Sequence, residues 1–435
     1  MKEKQMKRNV IVRLLSLVAA GCLSAAPLFA QTPELNKMKY QRFRERFSHQ
    51  FMYVSGDGMV QGSYLPMEAL RRDAQGGQTA YWADGTWWQG HYVAMLATEY
   101  ALLKREGDSA EASATIGELR QALRVYFRLD SIAESCWNGT SALNGFYLRD
   151  DVPQSLAASF GVQTVLSDYQ RHCGNVSSTG NGPSQDQAWA TCLGLALVLR
   201  LVDAPEAADV RNMAVEVARR MVQGMQFTDA KGKEHWQVMN PVNGLLVQKE
   251  GDIQWLKYAH GRAFEVLTGE PTGYGGCSAM VSRRTFKTIQ NNFLIDKYGH
   301  FNWYGVLALS TLINEKGRQG DCLYDWLVDR TEAIARKRPD LQQPIMFPHF
   351  PLISLLLYPQ QEPGSLLPAS LYEQMLDAAP EGGAHCLVAS DGTIVHSAAP
   401  WHSLSLFCPW HTKDEGEFNM LDYMLLYNLY RLIYG

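Results

Sequence analysis

Apolar residues recur every three to four positions through most of the chain beyond residue 30, and strict alternation is confined to a few short stretches. The spacing predicts helices over 34–48, 85–105, 110–134, 185–202, 205–225, 252–268, 279–294, 301–316, 320–337, 348–357, 367–378 and 417–433. Several carry a start signal: Asp84 before "GTWWQ", Ser184 before "QDQAW", and Pro205 in a first turn. Between them lie "NGFYLRDDVP" with "SFGVQTVLSDY", "KGKEHWQVMNPVNGLLVQ", and "HCLVASDGTIVH", whose Asp391-Gly392 suits a tight hairpin turn. The glycine-rich "HCGNVSSTGNGPS" is a loop by composition.

About a dozen helices without a run of parallel strands leaves few architectures. The expected fold is all-α: an (α/α)6 toroid of six inner and six outer helices with short β-hairpin insertions, spanning 31–435 as one domain. Its cavity would open at the end where the inner helices begin.

Residues 1–30 fall outside that fold. Lys and Arg in "MKEKQMKRN", the apolar run that follows and the small-residue end at Ala30 read as a signal peptide, which implies a periplasmic or secreted protein. A competing reading of "LVAAGC" acylates Cys22 as a lipoprotein anchor; Ala19, where such signals usually carry Leu, argues against it. No later apolar run reaches the roughly 18 residues a membrane span needs.

Net charge of −4 and a pI near 6.3 provide no basic field for nucleic acid. Cys136, Cys173, Cys192, Cys277, Cys322, Cys386 and Cys408 show no C-x-x-C pair, so they read as buried thiols rather than a zinc site or disulfide framework. Walker loop, serine elbow and H-E-x-x-H are absent, and neither metal nor cofactor is expected.

One spacing recurs. Asp84/Trp87, Asp186/Trp189 and Asp252/Trp255 each place an aspartate three residues ahead of a tryptophan at an expected helix start. The aspartates could simply cap their helices, worth about 0.5–2 kcal/mol. They could instead line a pocket, where carboxylates bond sugar hydroxyls and indoles cover sugar C–H faces. Trp87, Trp88 and His91 form the densest such group, with Trp303, Tyr304, Trp401 and His402 as further walls. Gln185 and Gln187 flank Asp186 and could read hydroxyls. In "LRDDVP", Asp150 and Asp151 point to opposite faces of an extended segment, so one alone can face a cavity beside Arg149. His411 with Asp414, Glu415 and Glu417 could form a proton-transfer pair or part of a metal site, but neither spacing is diagnostic and the run reads rather as a loop leading into an acid-rich helix start.

"DGTWWQGHYVAMLATEYALLK", a second helix, "GFYLRDDVP" and "SQDQAWATCLGLALVL" together resemble the (α/α)6 toroids of secreted bacterial glycan-degrading enzymes. The likeness covers about residues 80–435 and lies in helix rhythm and aromatic placement; no full catalytic motif of one family is matched. It implies a glycoside hydrolase acting on an oligosaccharide or polysaccharide, and hydrolysis requires paired carboxylates across the scissile bond. Asp151 and Asp186 are the expected pair, with Asp84 in reserve. The alternatives are a polysaccharide lyase using Tyr or His with Arg149 on a uronate, and a toroid that binds glycan or protein without catalysis.

Overall fold

A computed structural model of the chain describes residues 33–72, 75–82, 84–137, 145, 147–169, 185–228, 231–232, 234–236, 264–271, 349, 352–353, 356, 369–379, 381–382, 385–388, 394–396 and 415–435. The expected leader, the helices over 279–294, 301–316 and 320–337, and most of those over 252–268 and 348–357 lie outside the described residues.

Within them the protein is helix-rich, with a small mixed sheet. Helix α1 spans Pro33–Gln50, α2 Gly85–Glu106, α3 Ser109–Trp137, α4 Gln185–Leu201, α5 Ala208–Met225, α6 Ala369–Ala378 and α7 Leu421–Tyr434. The first six fall where periodicity puts them. Burial sorts them into two kinds. Helix α2 is buried without interruption from Gly85 to Tyr100, and α7 is buried at Leu421 and from Tyr423 to Leu429. Helix α5 instead buries one stripe, Val210, Ala214, Val217, Ala218 and Met221, as an amphipathic helix covering a core does.

Contacts fix the directions. Thr86 bonds Gln187 and Gly90 backs onto Ala190, so α2 and α4 run parallel. Asn428 reaches Met95 and Arg431 reaches Glu106, so α7 is parallel to both. Gln89 bonds the Ala122 carbonyl and Thr115 meets Glu99, so α3 returns antiparallel; Phe47 on Tyr92 and Tyr40 on Glu99 make α1 antiparallel too. An inner layer of α7, α2 and α4 is thus wrapped by α1, α3 and α5, and the three inner helices begin at the same end.

The approach of α2 to α4 depends on glycine. A Cβ on Gly90 would lie 2.3 Å from the Ala190 carbonyl group, and one on Gly194 would lie 2.6 Å from the Gly90 oxygen. Neither contact leaves room for any side chain.

The sheet caps the end where inner helices begin. Strands β1 (Ala69–Arg72), β2 (Gln78–Trp82), β3 (Thr164–Ser167), β6 (His385–Val388), β7 (Ile394–His396) and β8 (Glu415–Phe418) form one sheet in the order β3-β2-β1-β8-β6-β7, while β4 (Gln226–Thr228) and β5 (Glu234–Trp236) form a separate antiparallel pair. Leu70 faces Ala80 on one side and Glu417 on the other; among the described strands β2 and β3 pair in parallel and the other pairings are antiparallel. The expected hairpin at 385–396 is present as β6 and β7. The one expected within 231–248 is displaced: β5 pairs with β4 ahead of that stretch, and residues 237–248 lie outside the described residues. However, β6 and β7 belong to a sheet that joins the two ends of the chain instead of standing alone.

One boundary differs from expectation. Residues 417 and 418 are strand, not the first turn of the last helix, and Glu417 pairs with Arg46. Met420 at φ 62° turns the chain sharply, and Asn419 accepts the Leu421 N–H while donating to the Met67 carbonyl. The acids at 415 and 417 therefore belong to a strand paired on both sides and do not complement a helix dipole.

Candidate functional site

Strand β2 ends at Trp82 and α2 begins at Gly85, so Asp84 sits at the N-cap position. Its side chain makes no capping bond. It accepts from the Gln187 amide at 2.6 Å, reaching the first turn of α4, and from Arg149 Nη1 at 3.1 Å. Gln187 in turn accepts the Thr86 hydroxyl at 2.6 Å. The helix forgoes a capping bond worth about 1 kcal/mol, and the carboxylate is aimed across the inner helix starts.

Arg149 Nη1 also lies 3.5 Å from Asp168, just past β3. Side-chain exposures of 14% for Asp84 and 21% for Arg149 make these two the more accessible part of the cluster, with Asp168, at 10%, nearly buried beside them. Because both acids touch the same guanidinium nitrogen, their nearest oxygens lie within about 6.6 Å of one another, the sum of the two distances.

Asp150 and Asp151 do point to opposite sides. Asp150 faces α2: a Cβ on Gly85 would fall 3.2 Å from its own Cβ. It is fully buried and accepts backbone N–H bonds from Val152, Asp168 and Tyr169. Burial and then the Asp168 charge push its carboxyl up to about 8, against those bonds. Asp151 faces away, toward α3. Arg128 grips both its oxygens at 2.6 and 3.0 Å, and the Gly62 N–H adds a bond at 3.1 Å. With both partners at most 2% exposed, Asp151 is a buried clamp and not part of an open acid pair. Its partner in the expected pair, Asp186, and Gln185 lie in the first turn of α4 with side chains outside the described residues.

The tryptophans also differ from expectation. Trp87 and Trp88 are 2% and 5% exposed, so neither offers an open face to a sugar. Trp87 packs on His91 at 4.7 Å, and its carbonyl meets His91 Nδ1 at 2.9 Å. His91 is buried, which lowers its pKa to about 4 and keeps the imidazole neutral at pH 7. Gln187 is buried with its amide engaged as described, leaving it a scaffold for Asp84. Asp252, Trp255, Trp303, Tyr304, Trp401, His402 and His411 lie outside the described residues.

Two acids escaped the sequence reading. Asp168 follows an unremarkable "VLS" and carries no local signal. Glu68 does: it is a lone acid in "YLPMEAL", an apolar setting. It is fully buried, with Arg71 at 3.6 Å. Burial pushes its carboxyl up to about 8, Arg71 opposing and the Asp84 charge adding to the shift. Among the described residues no group of three or more His, Cys, Asp or Glu could hold a metal ion. No helix among them is long and apolar enough to cross a membrane.

Protein-family models, curated proteins and solved structures yield no match to this chain.

Proposed function

We propose that the protein is a carbohydrate-active enzyme of glycoside-hydrolase type, built on an (α/α)6 toroid of which α1–α5 and α7 are one arc. The leader read at residues 1–30 would send it to the periplasm or beyond. The observation that carries this reading is Asp84: a carboxylate at a helix start that leaves its capping bond unmade and stands, partly exposed, beside Arg149 and Asp168 where three parallel inner helices begin.

Hydrolysis needs two carboxyl groups facing one glycosidic bond, about 5–5.5 Å apart in retaining enzymes and 6.5–9.5 Å apart in inverting ones. Asp84 and Asp168 have their nearest oxygens no more than about 6.6 Å apart, a limit that admits the retaining spacing, whereas Asp151 is enclosed by Arg128. Gln187, itself held by the Thr86 hydroxyl, donates to Asp84 from behind, while Arg149 holds both acids on one side. The lyase alternative would use Arg149 to neutralise a uronate, and that guanidinium is already shared by two carboxylates.

The test is release of reducing ends from a panel of neutral and acidic polysaccharides, with ultraviolet absorbance followed in parallel for an unsaturated product. Asp84→Asn should cost about 10²–10⁴-fold in turnover, the usual range for a general acid or base. Its melting temperature should fall little: no capping bond is lost, the asparagine oxygen can take over the Gln187 and Arg149 bonds, both made to Oδ1, and the ion pair that loses its charge is partly exposed. Equal losses of activity and stability, or an unsaturated product, would refute the proposal.

A further inference from the structure

We infer that Asp150 is a positioning residue: it fixes the turn that carries Asp168 and thereby sets where Asp168 stands against Arg149 and Asp84. The inference rests on Asp84 and Asp168 as the working pair. Its physical content, a pinned turn, can be measured without any substrate.

Asp150 is 0% exposed and cannot touch a ligand. Its oxygens are turned to the backbone. Oδ2 accepts the Asp168 N–H at 2.8 Å, Oδ1 accepts the Val152 N–H at 3.2 Å, and the Tyr169 N–H is shared between them at 3.4 Å. Ser167 completes the join by donating to the Val152 carbonyl at 3.0 Å. The turns at 150–152 and 167–169 are therefore zipped together by one carboxyl group, both of whose oxygens accept, and this projects Asp168 toward Arg149, the residue immediately before Asp150. Gly85 admits this arrangement, since a Cβ there would meet the Arg149 carbonyl oxygen at 2.4 Å and Asp150 at 3.2 Å.

An asparagine at 150 keeps the shape but replaces one acceptor oxygen with an NH2 group that can only donate. At least one N–H then loses its partner and faces a second donor. The turn must move, and a shift of about 1 Å in a reacting group costs on the order of 10²-fold in rate.

Asp150→Asn, Asp168→Ala and wild type are compared by hydrogen exchange with mass spectrometry on the full chain, alongside turnover of whichever glycan wild type cleaves. The expected result is faster exchange in the Asp150→Asn protein at one or more of the amides of Val152, Asp168 and Tyr169, according to which way the asparagine amide turns, with exchange in α2 and α4 unchanged. Asp168→Ala should leave the amide at its own position protected, because the pinning runs from Asp150. In turnover, Asp150→Asn should lower kcat by about 10²-fold with KM within about twofold, and the double variant should be no worse than Asp168→Ala alone. Wild-type exchange at 152, 168 and 169 together in the Asp150→Asn protein overturns the inference. So does a loss of activity carried by KM alone. If wild type cleaves no glycan, the functional proposal fails while the exchange data still decide the pinning. Should Asp150→Asn not fold, Asp150→Ser, which retains a small acceptor, undergoes the same exchange measurement with the same criterion.

Discussion

The Arg128–Asp151 pair offers the sharpest separation of architecture from chemistry. Asp151→Asn removes the negative charge opposite a guanidinium that is 2% exposed. Stranding one partner of a buried ion pair costs about 3–5 kcal/mol. For a unit of roughly 400 residues unfolding with ~2.1 cal/mol/K per residue, that corresponds to a fall of about 4–6 °C in melting temperature. Removing both charges should not restore stability here. Arg128 also donates to the carbonyls of Gly58 and Ser63, and Asp151 accepts the Gly62 N–H. An Arg128→Met/Asp151→Leu variant leaves those three backbone groups without these partners, each at about 1–3 kcal/mol. Urea unfolding of the single and double variants, followed by circular dichroism, reads both values from the midpoint at constant slope. An Asp151→Asn protein with wild-type midpoint and abolished turnover would refute the clamp and return Asp151 to the catalytic pair.

Other consequences are equally direct. Gly90→Ala places a methyl 2.3 Å from the Ala190 carbonyl group and should lower stability by at least the 1–3 kcal/mol typical of overpacking, visible as a reduced melting temperature or insoluble expression. A wild-type midpoint would mean that α2 and α4 do not meet there. Glu68 has a folded pKa near 8 against an ordinary 4.5, so between those values the folded state holds the proton that the unfolded state has lost. Its contribution is complete below about pH 4.5 and disappears as pH rises through about 8; Glu68→Gln should therefore flatten the decline in melting temperature between pH 5 and 8, and an unchanged slope would exclude a protonated Glu68.

Helix positions were legible because apolar periodicity is a local property: α1 to α6 fall within a few residues of their expected spans. The tail "KDEGEFNMLDYM" shows where local reading stops. Its acids suit a helix start, yet pairing of β8 with β1, more than 300 residues earlier in the chain, makes 415–418 a strand. Burial misled in the same way at Trp87 and Trp88. Their residue type suggests an open platform, but inner helices with neighbours on every side enclose them.

By itself the sequence determined that helices dominate, that Asp84 begins one of them, and that Asp150 and Asp151 must diverge, since each follows from backbone period and side-chain direction within a few residues. Only the tertiary structure decided which way each carboxylate turned. Asp84 forsakes its cap because Arg149 and Gln187, distant in sequence, arrive beside it. Asp151 is enclosed because Arg128 lies under it, and Asp168 joins the group because β3 pairs alongside β2. A carboxylate's role is set by the charges and N–H groups that surround it, and those come from other parts of the chain.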